Sequence, residues 1–146
     1  MKIYTIGFSK KTASQFFSIL RANSIKQVVD LRENNTSQLA GFTKREDLKF
    51  FLRELLDASY VHIPELAPDK ITRNNYKATK NWEQYTQSYM QLIKDRHIIN
   101  HLQQNNPLIE PFVLLCSEPK ADKCHRRLAA ELLIEELFRD GEIIHL

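Results

Sequence analysis

Phe112-Val-Leu-Leu-Cys116-Ser-Glu-Pro-Lys-Ala-Asp-Lys-Cys124-His125-Arg126-Arg127-Leu-Ala-Ala-Glu-Leu-Leu-Ile134 is the stretch whose reading decides the fold. An apolar run, a short polar loop and a helical run follow one another directly, which reads as strand, loop, helix. Asp122 is the expected N-cap, so the helix should run from Lys123 to about Arg139 and stop at Gly141. Lys123, Cys124, His125, Arg126 and Arg127 then crowd the first turn. The helix dipole favours negative charge at that end, and each exposed cation there costs on the order of 0.3–1 kcal/mol. Cations beside free backbone N–H groups predict a seat for an anion. The competing reading sends each long side chain into solvent on its own.

Outward from this stretch the pattern repeats. Lys2–Ile6 reads as a strand ending at Gly7. Thr12-x-x-Gln15 is a capping-box pattern and opens a helix carrying Phe16, Phe17, Ile19 and Leu20. Gln27–Leu31 reads as the second strand, followed by a loop over Asn34–Ser37. A second capping box, Thr43-x-x-Glu46, opens a helix with Leu48, Phe51, Leu52, Leu55 and Leu56 on one face. Ser59–Ile63 is the third strand and Pro64 closes it. Residues 68–80 are polar and unpatterned, an expected surface excursion. Asn81 caps a helix bearing Trp82, Tyr85, Tyr89, Leu92 and Ile93, and Ile98, Ile99 and Leu102 extend it or form another before Pro107. Phe112–Cys116 is the fourth strand and Glu142–His145 the last. Strict alternation with near-continuous apolar strands predicts an α/β fold: a three-layer α/β/α sandwich around a mainly parallel sheet of about five strands, Rossmann-like or flavodoxin-like.

Composition bounds the function. The 146 residues are expected to form one domain, 1–146, with 42% hydrophobic and 27% charged residues, as in ordinary globular proteins. No apolar run reaches the roughly 20 residues needed to cross a bilayer, and the N-terminal apolar stretch is too short for a signal peptide. A cytoplasmic location without membrane contact is the expectation. A formal charge of +3 permits phosphate or nucleic-acid contact without demanding it. Two cysteines eight positions apart read as thiols rather than a disulfide. Three glycines in all leave no room for a Walker loop or a dinucleotide-binding glycine fingerprint.

In a parallel sheet, ligands bind outside the carboxyl ends of the strands, and the unusual residues fall there. Gly7, Phe8 and Ser9 follow the first strand, Asp30 and Arg32 the second, His62 and Glu65 the third, and Cys116, Ser117 and Glu118 the fourth. In this order the pieces Thr5-Ile-Gly7-Phe-Ser9, Asp30-Leu-Arg32, Leu39-Ala-Gly-Phe42, Tyr60-x-His62-x-Pro64-Glu-Leu66-Ala-Pro68 and Leu114-Leu-Cys116-x-Glu118 to Cys124-His125-Arg126 resemble the DUF488 family along essentially the whole chain. The Cys-His-Arg element is the most specific of them. Phe8 departs from the pattern, since many members carry histidine there. The resemblance implies an α/β fold with a site near Cys124-His125-Arg126, and it supplies no reaction.

The candidate catalytic residues are Cys124, Glu118, Asp30 and His62. Cys124 is expected as a thiolate favoured by the helix start and its cations, and the other three as acid–base groups. Gly7, Ser9, Arg32, Cys116, His125 and Arg126 are the candidate ligand-binding residues, with Arg126 and Arg32 suited to fork-like recognition of phosphate or carboxylate. Cys116 also reads as core, and Glu118 as a salt-bridge partner of the arginines. Lys10, Lys11, Lys44 and Arg45 read as solvated, and Trp82, Tyr85 and Tyr89 as core rather than base-stacking. The expected function is an enzyme acting on a small anionic or phosphorylated substrate, with no cofactor. Two alternatives stay open: a non-catalytic module for nucleotide or nucleic acid, and a Cys/His metal-binding domain, against which the C-x7-C-H spacing and the neighbouring arginines weigh. Reaction type, substrate, strand order and oligomeric state are not legible at this level.

Overall fold

The computed structural model describes residues 1–36, 41–105 and 108–146. Five strands, β1 (Lys2–Gly7), β2 (Gln27–Asp30), β3 (Ser59–His62), β4 (Phe112–Cys116) and β5 (Glu142–His145), form one sheet. Its order is β3-β2-β4-β1-β5 and every neighbouring pair is parallel. The sequence-derived class, an α/β sandwich of three layers, is therefore the observed one. The order has its own identity, because β4 inserts between β1 and β2, which are neighbours in the Rossmann order.

Alternation along the strands sends side chains to two helical layers. Tyr4, Ile6, Val28, Val113 and Leu115 pack with Phe16, Phe17 and Leu20 of α1 (Ala13–Ala22) and with Leu48 and Leu52 of α2 (Arg45–Leu56). On the other face Ile3, Val29, Phe112 and Leu114 meet α4 (Trp82–Asp95), α5 (Ile98–Asn105) and α6 (His125–Glu136) through Tyr89, Ile93, Leu102, Leu128 and Leu133. Because all strands run the same way, Gly7, Asp30, His62 and Cys116 arrive at one edge. Gly7 registers with Cys116, and Asp30 with Leu115 and His62.

Several local expectations are corrected. The Thr12 capping box forms: Gln15 N donates to Thr12 Oγ1 at 3.1 Å and Thr12 N to Gln15 Oε1 at 2.9 Å. The Thr43 box does not. Thr43 is buried in a short 3-10 turn, Gly41–Thr43, with its carbonyl accepting from Arg32, and the cap position of α2 falls on Lys44, which makes no side-chain cap bond. Residues 70–79 form helix α3 (Lys70–Thr79) rather than an irregular excursion, capped by Asp69, whose Oδ1 accepts from Thr72 N at 2.8 Å. This helix shows no apolar stripe because its packing rests on Tyr76 against Trp82 and Tyr85 of α4. The Ile98 segment is a separate helix. A left-handed His97, φ 52°, breaks it from α4. Helix α6 starts at His125 with Cys124 as its cap, not Asp122, since Ala121–Cys124 closes a turn of its own. It ends at Glu136, before Gly141. A Cβ at Gly141 would lie 2.3 Å from Ile134 Cδ1, so close packing rather than a helix stop explains that glycine. Ser37, Leu39 and Ala40 of the sequence motifs, and Pro107, lie outside the described residues.

Candidate functional site

A cavity of about 920 Å³ opens at the carboxyl edge of the sheet. Lys10, Lys11, Arg32, Arg73, Lys77, Lys80 and Lys123 line it against only two carboxylates, Glu33 and Glu118. Phe8, Phe42, Tyr76 and Tyr85 supply apolar wall. Two of the charges are answered nearby, Arg73 by Glu33 and Arg32 by Asp30. Among the described residues, Lys10, Lys77, Lys80 and Lys123 form no ion pair. Such a concentration of one sign in a cleft holds a positive potential open to a ligand.

Of the ten candidate residues, Ser9, Arg32, Glu118, Cys124 and His125 line this cavity, whereas Gly7, Asp30, His62, Cys116 and Arg126 stand behind it. Asp30 is fully buried, and its carboxylate is engaged by four hydrogen bonds. It accepts from Arg32 Nε at 2.9 Å, Nη2 at 2.8 Å and backbone N at 3.1 Å, and from Tyr60 Oη at 2.6 Å. Burial first, and the Asp30 charge second, push the Tyr60 hydroxyl well above its ordinary range, so it stays a donor. His62 Nε2 lies 2.5 Å from the Arg32 carbonyl. Phe8 lies under the Arg32 guanidinium, 5.2 Å from its ring centroid, in a cation–π contact. Arg32 is thus aimed at the cavity by Asp30, Thr43 and Phe8.

Arg126 departs most from expectation. Its side chain is 1% exposed, and it does not line the cavity. Nε donates to Thr5 Oγ1 at 3.3 Å, and Nη1 to Cys116 Sγ at 3.0 Å and to the Glu118 carbonyl, with Cys124 Sγ at 3.8 Å. Gly7 permits this arrangement, since a Cβ there would stand 1.6 Å from the Glu118 oxygen and 2.8 Å from Arg126 Nη1. Among the described residues no carboxylate pairs with this guanidinium. Arginine does not deprotonate in proteins, and an uncompensated buried ion costs several kcal/mol. The groups in contact that can become negative are the two sulfurs, 2.7 Å apart and both free thiols.

The charge falls on Cys116, not on Cys124 as the helix start suggested. Burial raises the Cys116 thiol, but the hydrogen bond with Cys124, the Arg126 charge and the Arg126 hydrogen bond outweigh it and leave the thiol below its ordinary value. Cys124 is raised, first by that same hydrogen bond, then by burial and by the Cys116 charge. The pair titrates as a unit, a thiol donating to a thiolate. Of the two sulfurs, the protonated one belongs to the residue at the cavity.

His125 adds a neutral imidazole. Its ring donates to the Leu31 carbonyl, while Nε2 is enclosed and without a partner. Burial above all, with the Arg126 charge adding, lowers its pKa to about 4. Tyr89 lies tilted against it, ring centroids 6.2 Å apart, and stacks in turn with Tyr85, which stacks with Trp82. Tyr89 is buried, with its hydroxyl donating to the Leu66 carbonyl at 2.8 Å, so this stripe is core as its spacing implied. Tyr85 and Tyr76 additionally reach the cavity wall.

Sequence reasoning missed α3, which brings Arg73, Tyr76 and Lys77 to the wall at helical spacing, and Lys80 just beyond it. The Asp69 cap was the available signal. It also read Lys11 as solvated. Lys11 Nζ donates to the Gly7 carbonyl at 2.7 Å, and burial, then Arg126, lowers its pKa. Among the described residues no group of three or more His, Cys, Asp or Glu side chains is placed to hold a metal ion, and no helix is long and apolar enough to cross a membrane.

Comparison with curated proteins and with solved structures finds no match. Residues 12–133 match the family described as "Domain of unknown function DUF488". That span runs from the cap of α1 into α6 and carries Arg32, Arg126 and both thiols, and with it the chain belongs to the DUF488 family.

Proposed function

We propose that the strand-end cavity binds a phosphate-bearing anion of about nucleotide size and that the protein is an enzyme acting on it beside Cys124 and His125. The observation that carries this reading is the set of seven cationic side chains against two carboxylates around one cavity. Its volume is that of a small-molecule site. Arg32 spends Nε and Nη2 on Asp30 and the Thr43 carbonyl, which leaves Nη1 to donate to a phosphate or carboxylate oxygen. The lysines of the rim add charge without fixed geometry. Tyr76, Tyr85, Phe8 and Phe42 give the cavity an aromatic wall suited to the apolar part of such a ligand. His125, neutral near pH 7, stands at the cavity wall with an enclosed, unpartnered Nε2 lone pair. Cys124 is the cysteine at the cavity, and Cys116 at 2.7 Å is the group to take its proton.

Calorimetric titration with inorganic pyrophosphate and with a nucleoside diphosphate tests the reading. The expected result is saturable binding of both that weakens as salt is raised. Lys77→Ala combined with Lys80→Ala should weaken it about tenfold, or roughly 1.4 kcal/mol. Absence of binding by both probes contradicts the proposal. Binding of oligonucleotides alone, with a steep salt slope, favours a nucleic-acid module instead.

A further inference from the structure

We propose that Cys116 and Cys124 form a reversible redox couple, closed to a disulfide by a small hydroperoxide that enters through the strand-end cavity. This does not rest on the anion reading. It rests on three placements. The two sulfurs are already in contact at 2.7 Å. Cys124, 2% exposed, lines the cavity and is the cysteine that a molecule in it meets first, while Cys116, 1% exposed, lies behind it at the end of β4. Arg126, buried with no carboxylate partner among the described residues, donates to Cys116 at 3.0 Å. A guanidinium enclosed at that spot has the second sulfur, rather than an acid, as its counter-charge. A pair kept only for packing would need neither the charge nor the opening.

The chemistry balances as follows. Cys124 sulfur attacks one oxygen of the hydroperoxide: the S–O bond forms, the O–O bond breaks, and the Cys124 proton passes to Cys116. The departing alkoxide or hydroxide takes a proton from solvent and leaves as alcohol or water, with Cys124 as sulfenic acid. Cys116 then releases its proton to solvent beside Arg126, and its thiolate attacks the Cys124 sulfur. The S–S bond forms, the S–O bond breaks, and hydroxide leaves to become water. Two thiols are oxidised by two electrons, and the peroxide is reduced by two. A dithiol reductant reverses the change.

Because the chain has only two cysteines, every thiol lost belongs to this pair. The reduced full chain is treated with hydrogen peroxide, quenched, alkylated under denaturing conditions and weighed intact. The expected result is joint loss of both thiols with the mass of two hydrogens missing, native near-ultraviolet circular dichroism retained, and recovery with dithiothreitol. Cys116→Ser should stop at an oxygen adduct on Cys124. Cys124→Ser should react about tenfold more slowly, its remaining thiol being shielded. Two thiols still free after peroxide overturn the proposal, as do oxygen adducts without a crosslink in the unsubstituted chain. A crosslink confined to protein that has lost its native circular dichroism overturns it as well.

Discussion

Arg32 and Arg126 stand at the ends of neighbouring structural units, one after β2 and one in the first turn of α6, and both guanidinium groups are largely buried. Arg32 carries its own acid. Asp30 grips it through two side-chain bonds, and Tyr60 completes the carboxylate. Arg126 has a hydroxyl, a carbonyl and two sulfurs. The first arrangement is neutral without help and can be turned toward a ligand. The second demands negative charge from a group that is ordinarily neutral. The contrast teaches that a buried arginine without a carboxylate is itself a statement about its neighbours' protonation.

The widest gap between the two should appear in stability. Asp30→Asn leaves the Arg32 charge buried without a counter-ion, and chemical denaturation should show a loss of about 3–5 kcal/mol. Arg126→Met should lose less, about 1–3 kcal/mol, for the Glu118 carbonyl left unpaired, since the Thr5 hydroxyl keeps its bond with His145 Nδ1. Cys116 can take up a proton when its partner goes, which Arg32 cannot shed. Equal losses would break the comparison.

Gly7→Ala sharpens the Arg126 side of it. The new Cβ meets backbone rather than a flexible side chain, so the loop after β4 has to move. A loss of about 1–3 kcal/mol is expected, together with faster alkylation of Cys124 in native protein as the Arg126 cradle opens. A fully stable Gly7→Ala with unchanged alkylation would show that the cradle is loose.

A smaller effect follows from the burial of His125, to which the Arg126 charge adds. The folded-state pKa of His125 is about 4, below its ordinary 6.5, chiefly through burial. As pH falls from 6.5 the unfolded chain takes up this proton before the folded one does. The contribution is therefore complete above pH 6.5 and is lost as pH drops toward 4. Denaturation midpoints should fall across that window and flatten in His125→Asn. A flat profile in the unsubstituted chain would contradict the assignment.

Much of this was legible in the chain. Alternating strands and helices told of a parallel sheet, and a parallel sheet told which loops meet, so Ser9, Arg32, Glu118, Cys124 and His125 could be named before any coordinates. What escaped depended on direction rather than position. Arg126 reads from sequence as a cation at an open helix start, and only the depth of α6 against β1 and β4 turns it inward. The exchange of charge between Cys124 and Cys116 follows from a difference of 3.8 Å against 3.0 Å to one nitrogen, which no spacing conveys. Helix α3 was missed because its stability lies in Tyr76 packing on a neighbouring helix. With it went Arg73 and Lys77, two of the seven cations that line the cavity.

The most direct test is the ultraviolet thiolate absorbance of the reduced protein followed against pH, in the unsubstituted chain, Cys116→Ser and Cys124→Ser. One thiolate should be present in the unsubstituted chain at pH values clearly below the ordinary thiol pKa, persist in Cys124→Ser and vanish in Cys116→Ser. If no thiolate forms until the ordinary range, or if the early one disappears with Cys124 instead, then Arg126 is not balanced by Cys116 and the account of this site is wrong.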